Sequence, residues 1–373
     1  MKTGFGWART RVSWLACVFL VGCAGTAPTM EATVESAGLD DFPPMASGGT
    51  PGASKQALDT AAALGRGINL GNAFEAPREG DWGLTLKDNY FDAIATAGFK
   101  SVRIPVRWSN HAAKTADATI DPAFAARIDH AIDGFLSRGL TVVVNMHHYR
   151  QLDGDRLDAN ETAVPASVVK VRFLNLWKQI AQRYKHRSDK LVFELYNEPH
   201  GNQQSTWNDL AARALNVVRQ SNPQRVVVIG PVTWNSAKSL AQLSLPNDDN
   251  LIVTVHNYNP FQFTHQGASW VGGSSAWLGT TCCSAAQQSD IIGPLDTAAA
   301  WSAAHHYPVW LGEFGSYEKG AMDSRVAFTR LMRDEAEKRN MPWAYWEFAS
   351  GFGAYNPATD AWRTPLKNAL LGP

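Results

Sequence analysis

Two glutamates stand where the sequence can support acid–base chemistry. Glu198 ends the apolar run LVFELYNEP (191–199), and Glu313 lies near the end of the run PVWLGEFG (308–315). A carboxylic acid donates a proton, whereas a carboxylate attacks an electrophile or activates water, so two carboxyl groups in different environments can divide these tasks. This division requires a fold that brings together two residues far apart in the sequence.

Eight apolar runs of strand length follow one another from about residue 60, and each ends in polar residues. The runs are 67–75, 100–108, 140–148, 191–199, 225–232, 251–260, 308–315 and 342–350. Amphipathic stretches such as FAARIDHAIDGFLSRG and VRFLNLWKQIAQRY separate them and have the period of a helix. Apolar strands that alternate with helices indicate a parallel sheet covered on both faces. Eight such units predict an α/β fold, a (β/α)8 TIM barrel, as a single catalytic domain over residues 58–373.

A doubly wound open sheet is the alternative architecture. That fold would carry a glycine-rich phosphate loop after its first strand. The corresponding stretch INLGNAFE (68–75) has one glycine and an acidic residue instead. The barrel is therefore favoured, and we expect no cofactor.

The active site of a (β/α)8 barrel lies at the C-terminal ends of its strands, so the last residues of each run are the candidates. Core positions would hold Val, Ile or Leu, because a buried polar group without a partner costs on the order of 1–3 kcal/mol. These positions instead hold Asn72, Glu75, Arg103, His147, His148, Asn197, Glu198, His256, Tyr258, Glu313 and Trp346. We therefore expect Glu198 and Glu313 to face each other across the barrel mouth.

Two facing carboxyl groups are what glycoside hydrolysis requires, and their separation decides the outcome: about 5–5.5 Å gives retention and about 6.5–9.5 Å gives inversion. Arg103 and Tyr258 should hydrogen-bond the charged form of Glu313 and lower its pKa. Glu198, in a more apolar setting, should keep its proton. Asn197 would contact the sugar 2-hydroxyl, His256 would tune Glu198, and Trp346 would form the floor under the sugar.

Each of these residues also has a structural interpretation. Glu198 and Arg103 can form a salt bridge inside the barrel mouth, and Asn72 and Glu75 can cap a turn. The pair His147–His148 invites a metal interpretation, but metal-dependent hydrolases on this fold tend to take ligands from a His-x-His on the first strand, which has no histidine here. We expect no metal.

The N-terminus predicts export. Residues 1–23 combine Lys2, Arg9 and Arg11 with an apolar stretch that is too short to span a membrane, and they end in LVGC, which resembles a lipobox with Cys23 as the lipidated residue. Residues 24–57 are rich in Pro, Gly, Ser, Thr and Ala and predict a flexible linker. The protein would then be an outer-membrane lipoprotein held on the membrane through Cys23 alone, or a secreted, extracellular protein.

Composition narrows the partners further. Lys+Arg and Asp+Glu both number 34, so the net charge of zero gives no reason to expect nucleic acid. The 14 tryptophans fill the core or offer flat faces to sugar rings. In an oxidising compartment the adjacent Cys282 and Cys283 form either a disulfide or two free thiols.

Six motifs in this order resemble glycoside hydrolase family 5, and the likeness covers about residues 58–373. They are RIPVRW, NMHH, NEPHG, VHNYNP, GEFG and WAYWEF. GINLGNAFEAPREGDWG, FTHQGASW and YWEFASGFGAYN resemble the bacterial endo-β-1,4-glucanases of that family, of the Thermotoga type. The resemblance implies retention, with Glu198 as acid/base and Glu313 as nucleophile.

By the same resemblance, further residues support the transition state or line the sugar cleft. Arg103, His147, Asn197, His256, Tyr258 and Trp346 match the family signature, and Asn72, Glu75, His148, His265 and Trp270 match cleft positions. The implied activity is that of an endo-β-1,4-glucanase acting on cellulose or β-glucan, as a monomer. A β-mannanase or dual enzyme, a transglycosylase and a non-catalytic surface sugar-binding barrel are the alternatives. The vicinal cysteines in TTCCSAAQQS (280–289) depart from the family pattern.

Overall fold

The computed structural model describes residues 38–48 and 52–372. The predicted signal segment and Cys23 lie outside these residues, so export and lipid attachment stay predictions. Within the described part of the chain, no helix is both long enough and apolar enough to cross a bilayer.

Eight parallel strands close into a barrel in sequence order, with β1 paired to both β2 and β8. Each strand lies within one of the apolar runs or overlaps its start, which confirms the predicted (β/α)8 architecture. The strands are β1 Arg66–Asn69, β2 Ser101–Ile104, β3 Thr141–Asn145, β4 Leu191–Glu194, β5 Val227–Ile229, β6 Leu251–His256, β7 Val309–Phe314 and β8 Trp343–Tyr345. A two-stranded antiparallel ribbon, β9 Tyr355–Asn356 and β10 Ala361–Trp362, follows.

Most of the long helices are amphipathic; α1 packs against the N-terminal end of the barrel, and the helices between successive strands cover its outside. In chain order they are α1 Lys55–Leu64, α2 Asn89–Ala97, α3 Pro122–Leu136, α4 Val169–Tyr184, α5 Trp207–Arg219, α6 Ala285–His305, α7 Met322–Lys338 and α8 Thr364–Leu371. Local signals fix their ends: Asp121 accepts the N–H groups of Ala123 and Phe124 at the start of α3, and Gly98 ends α2 in a left-handed conformation. Among the described residues, the connection from β5 to β6 has only short helical turns, including Ala237–Gln242.

The barrel interior is filled from its N-terminal end. Val143, Val192 and Ile252 pack there with Trp310, and α1 contributes Ala57, Ala61 and Leu64 to the same cluster. Successive side chains of a strand point to opposite faces, so residues two positions further along point inward again. The apolar filling therefore leaves the C-terminal mouth to polar side chains.

The prediction of a flexible linker over residues 24–57 is wrong for its described part. Helix α1 already begins at Lys55, and Ser54 caps it by accepting the N–H of Ala57. Upstream, Phe42 is buried against the main core, and Nη1 of Arg213 on α5 donates to the carbonyl oxygens of Leu39 and Phe42, at 3.0 and 2.8 Å. A composition rich in small residues does not reveal such an anchor, because a single aromatic side chain and its neighbouring backbone carbonyls provide it.

The segment between β6 and α6 carries Trp270, Trp277 and the cysteine pair. Cys282 and Cys283 are joined as a disulfide, which decides between the two alternatives that the sequence left open. Directly afterwards, Ser284 and Gln287 form a capping box that starts α6.

The anchor at residues 38–48 has a measurable consequence for stability. Phe42→Ala should lower the free energy of unfolding by about 3 kcal/mol, because it removes a buried aromatic ring from the core. Leu58→Ala on α1, where the side chain is 49% exposed, is the matched control and should cost less than about 1 kcal/mol. Urea denaturation followed by tryptophan fluorescence measures both values. Equal losses for the two variants would show that the segment does not stabilise the barrel.

Candidate active site

A register shift in the barrel decides where Glu313 points. Val255 of β6 pairs with Leu311 of β7, but the next residue, His256, pairs with Glu313, so Gly312 is an extra residue on β7. Such a bulge re-aims the side chain that follows it. Here it brings the Glu313 carboxylate to within 3.6 Å of the His256 ring nitrogen Nδ1.

Arg103 on β2 is the centre of the buried polar network. Its Nε and Nη2 donate to the two oxygens of Glu194 at 2.6 and 2.8 Å, and its Nη1 donates to Oε1 of Glu313 at 2.5 Å. The remaining contacts are to Oδ1 of Asn69, at 3.0 Å, and to Oδ1 of Asn197, at 2.6 Å. The five N–H donors of the guanidinium group thus all have acceptors.

The predicted salt bridge between Glu198 and Arg103 is therefore wrong. Among the described residues, Arg103 forms its ion pairs with Glu194 and Glu313. Glu194 is fully buried. Glu194, rather than Glu198, is therefore the bidentate salt-bridge partner of Arg103 inside the barrel mouth.

Glu313 accepts hydrogen bonds from two directions, as predicted. Besides the Arg103 contact, the hydroxyl of Tyr258 donates to its Oε2 at 2.8 Å. Burial nevertheless raises the pKa of Glu313, and His256, Arg103 and Tyr258 oppose that rise. The expected lowering of this pKa is thus wrong in direction, because the site removes the carboxylate from water as well as supplying donors.

Glu198 has a different set of partners. Its Oε1 lies 2.7 Å from Nδ1 of His256, and its side chain is 21% exposed compared with 6% for Glu313. Burial raises the pKa of Glu198 to about 7, with Arg103 and His200 acting in the opposite direction. Glu198 therefore holds its proton more readily than an ordinary glutamic acid, as expected.

The tautomer of His256 follows from its neighbours. Nδ2 of Asn235, which can only donate, lies 3.3 Å from Nε2 of His256 and also donates to the carbonyl oxygen of Asn197. Nε2 is therefore the acceptor, and Nδ1 carries the proton that is donated to Glu198. Burial lowers the pKa of His256 to about 4, so the ring is neutral.

The two glutamates lie close together across the mouth. Ligand atoms of Glu198, His256 and Glu313 all lie within 4.8 Å of one another. One oxygen of each carboxyl group therefore lies within 4.8 Å of an oxygen of the other. This proximity is compatible with the separation of about 5–5.5 Å in retaining pairs, whereas inverting pairs stand about 6.5–9.5 Å apart to leave room for water.

Two histidines and a tryptophan form an aromatic wall beside the pair. The rings of His147 and Trp346 are nearly parallel, with centroids 5.8 Å apart, and His148 meets Trp82 edge-on at 5.7 Å. Nδ2 of Asn145 lies 3.1 Å from Nδ1 of His147, which leaves the other ring nitrogen of His147 as a donor. Burial lowers the pKa of His147 and of His148 well below the usual value, so both rings are neutral.

Trp270 and His265, which were predicted at the outer cleft, differ in exposure and in packing. Trp270 is 61% exposed and meets Tyr317 edge-on at 5.0 Å, while His265 stacks on Phe261 at 4.1 Å. Both follow β6, and their position at the cleft stays a prediction.

Asn72 and Glu75 make the contacts of a capped turn, and their role in binding sugar stays a prediction. Glu75 accepts the backbone N–H of Asn72, as a capping residue would, and Nδ2 of Asn72 donates to the hydroxyl of Ser350 at 2.8 Å. The second carboxyl oxygen of Glu75, Oε2, is buried and has no hydrogen-bond partner among the described residues. Burial raises the pKa of Glu75 to about 7.

Sequence reasoning missed two residues of this network, Glu194 and Asn235. Glu194 lies inside an apolar run, two residues after the inward-facing Val192. The period of two along β4 therefore predicts that Glu194 also points into the barrel. Asn235 gave no such signal, because it lies in a loop whose residues 233–235 all adopt left-handed backbone angles.

The carboxyl pair should show electrostatic coupling. Glu313→Gln is expected to lower the pKa of Glu198, because Glu313 receives the Arg103 and Tyr258 donors as the charged member of the pair and a nearby negative charge raises the pKa of a carboxyl group. Carbon-13 NMR titration of labelled glutamate carboxyls measures this change. Asp323→Asn, an exposed position at the start of α7, is the control and should leave the pKa of Glu198 unchanged. A Glu198 pKa that stays constant or rises in Glu313→Gln would contradict the arrangement.

Comparisons with known proteins agree with this geometry. Residues 64–351 match the family model described as Cellulase (glycosyl hydrolase family 5). Endoglucanase H of Acetivibrio thermocellus is 36% identical over 336 residues, which are 87% of this chain and 35% of the relative. Cellulase/esterase CelE of the same organism is 29% identical over 81% of this chain and 37% of the relative. The chain thus spans about a third of the length of these two curated relatives.

Solved structures give the same result. Crystal structures of Thermotoga maritima Cel5A, one in complex with mannotriose and one with cellobiose, superpose with TM-scores of 0.79 in both cases. They are 45% and 46% identical and cover 84% of this chain and 99% of the other. Because the family model matches well over half of its residues, this chain belongs to glycosyl hydrolase family 5.

Proposed function

We propose that this protein is a retaining endo-β-1,4-glucanase in which Glu313 is the nucleophile and Glu198 is the general acid/base. One observation carries the proposal: an oxygen of each carboxyl group and a ring nitrogen of His256 all lie within 4.8 Å of one another, and the two carboxyl groups have different hydrogen-bond partners. Arg103 and Tyr258 donate to Glu313 and favour its charged form, whereas Glu198 faces a neutral imidazole.

In the first step, an oxygen of Glu313 attacks the anomeric carbon while the bond from that carbon to the glycosidic oxygen breaks. Glu198 gives its proton to the departing oxygen, so the leaving sugar is released as a neutral alcohol. The product on the enzyme is a glycosyl ester of Glu313, and Glu198 is left as a carboxylate.

In the second step, water enters from the side that the leaving sugar has vacated. Glu198 takes one proton from this water as its oxygen bonds to the anomeric carbon and the ester bond to Glu313 breaks. Two displacements at one carbon retain its configuration. Both glutamates return to their starting protonation states.

The residues around the two glutamates orient Glu198 and contact the sugar. Arg103 fixes Oδ1 of Asn197 as an acceptor, which leaves Nδ2 of that amide to donate to a sugar hydroxyl. The Nδ1–H of His256 orients Glu198 without adding a charge. Trp346 and Trp270 provide flat faces against which sugar rings can pack.

Azide rescue tests both roles in one experiment. Glu313→Ala and Glu198→Ala should each lower kcat on an aryl cellobioside by at least about 10³-fold, because each residue acts in the chemical step. For Glu198→Ala, this loss is measured with a basic leaving group, since the size of the loss depends on how much that group needs a proton. Azide should rescue Glu313→Ala with formation of the α-glycosyl azide, because the anion fills the space of the nucleophile. Rescue of Glu198→Ala should instead give the β-glycosyl azide, formed from the ester intermediate.

The configuration of each azide product is read by proton NMR. An exchange of the two configurations between the variants would reverse the assignment of Glu198 and Glu313. Unchanged turnover in both variants would show that other residues carry the reaction. Absence of turnover by the wild-type protein would instead favour the non-catalytic sugar-binding alternative.

Mannan is a second candidate substrate. The observation in its favour is that Thermotoga maritima Cel5A, 45% identical to this chain, has been crystallised with mannotriose as well as with cellobiose. We expect measurable kcat/KM on both barley β-glucan and glucomannan. Reducing-end assays with barley β-glucan, carboxymethylcellulose, glucomannan and galactomannan separate the cases: activity on the two mannans without activity on barley β-glucan or carboxymethylcellulose would replace the glucanase proposal with a mannanase.

A further inference from the structure

A second group of possible metal ligands lies beside Glu198. It consists of Asp153 at the end of the helical turn Arg150–Asp153, Asp155, and His200 in the segment after β4, and ligand atoms of the three lie within 4.8 Å of one another. They line a pocket of about 100 Å³ together with Trp234 and Glu198.

Asp153 carries an oxygen without a partner. Its side chain is 4% exposed, and its Oδ2 accepts a hydrogen bond from the hydroxyl of Tyr196. Its Oδ1 is buried and has no hydrogen-bond partner among the residues that the structure describes; Nδ1 of His200 lies 3.9 Å away. A buried carboxylate oxygen in this state costs free energy unless a proton or a cation is bound to it.

His200 is oriented as a ligand. Its Nδ1 lies 2.6 Å from the backbone oxygen of Glu198, which can only accept, so Nδ1 carries the proton. A neutral ring then has its lone pair on Nε2, 3.2 Å from Oδ2 of Asp155. Two acceptors at this distance require either a proton on Nε2 or a cation that both contact. A carbonyl that fixes the far nitrogen is also the usual arrangement for a metal-bound histidine.

The local charge favours a divalent ion. Arg150 contacts Asp155 and Asp158, and Arg107 contacts Asp158 and Glu161. Two guanidinium groups therefore stand among four carboxylates, which leaves up to two negative charges to be balanced by a cation or by protons on His200 and Asp153. The four carboxylates belong to Asp153, Asp155, Asp158 and Glu161.

We propose that Asp153, Asp155 and His200 bind one divalent transition-metal cation, Mn²⁺ or Zn²⁺, with water completing its coordination. One imidazole and two carboxylates suit these ions, whereas Ca²⁺ takes six to eight oxygen ligands. The ion links the turn after β3 to the segment after β4 and takes no part in bond cleavage. The inference is independent of the proposed hydrolase activity.

Metal titration of chelator-treated enzyme tests the site. Isothermal titration calorimetry with Mn²⁺ and, separately, with Zn²⁺ should give one site, with a rise in the thermal midpoint at saturation. Asp155→Asn and His200→Gln should each weaken binding by at least about tenfold, because loss even of a residue that supports a ligand costs that much. Asp155 is one-third exposed, so its variant should fold normally. Pulsed EPR of the Mn²⁺ form should show coupling to an imidazole nitrogen that His200→Gln loses.

The catalytic pair supplies the matched control. Glu198, His256 and Glu313 form the other cluster of possible ligands in the described residues. Glu313→Gln should therefore keep the Mn²⁺ affinity of the wild type. Loss of binding in Glu313→Gln with full binding in Asp155→Asn and His200→Gln would move the ion to the catalytic pair and overturn the proposal. Absence of binding at millimolar Mn²⁺ and Zn²⁺ would overturn it as well, and would indicate that a proton on His200 balances the cluster.

Discussion

The geometry of the barrel mouth depends on one buried cation, Arg103. Its guanidinium group is withdrawn from water, and a charge in that position is tolerated only when it is paired and its donors are satisfied. Glu194 and Glu313 are its ion-pair partners, and Asn69 and Asn197 accept the remaining N–H groups. The acceptors come from β1, β4, β7 and the residues after β4, so satisfying a single side chain fixes four parts of the barrel relative to one another.

The same network gives the two glutamates unlike environments. Glu313 receives donors from Arg103 and Tyr258, whereas Glu198 meets a neutral histidine and is partly open to solvent. Two carboxylates this close repel each other, so the proton they hold between them rests on the one with fewer donors. The division of roles follows from where Arg103 stands.

Sequence periodicity predicted the eight strands and the glutamates at their ends, because apolar filling of a parallel barrel has a direct signature. Glu313 is expected to face the mouth because of its place near the end of a run, and strand alternation alone does not explain its direction, since a bulge at Gly312 breaks that alternation. The packing of Phe42 could not be predicted from the sequence periodicity either, because tertiary contacts alone order that segment. The direction of the pKa shift of Glu313 could not be predicted from its hydrogen-bond donors alone. It also depends on burial, which is a property of the whole fold.

The connection after β5 contains a strained turn at residues 233–235, and this turn positions a residue of the site. Thr233, Trp234 and Asn235 are consecutive non-glycine residues with positive φ angles, a conformation that costs roughly 1–2 kcal/mol per residue. This backbone turns Asn235 into the barrel and leaves Trp234 outside against His200, at 4.7 Å between ring centroids. Without Asn235 as a donor to Nε2, His256 is free to protonate on that nitrogen and to present a lone pair, rather than a proton, to Glu198. The strained turn therefore determines which form of the imidazole the acid/base glutamate meets.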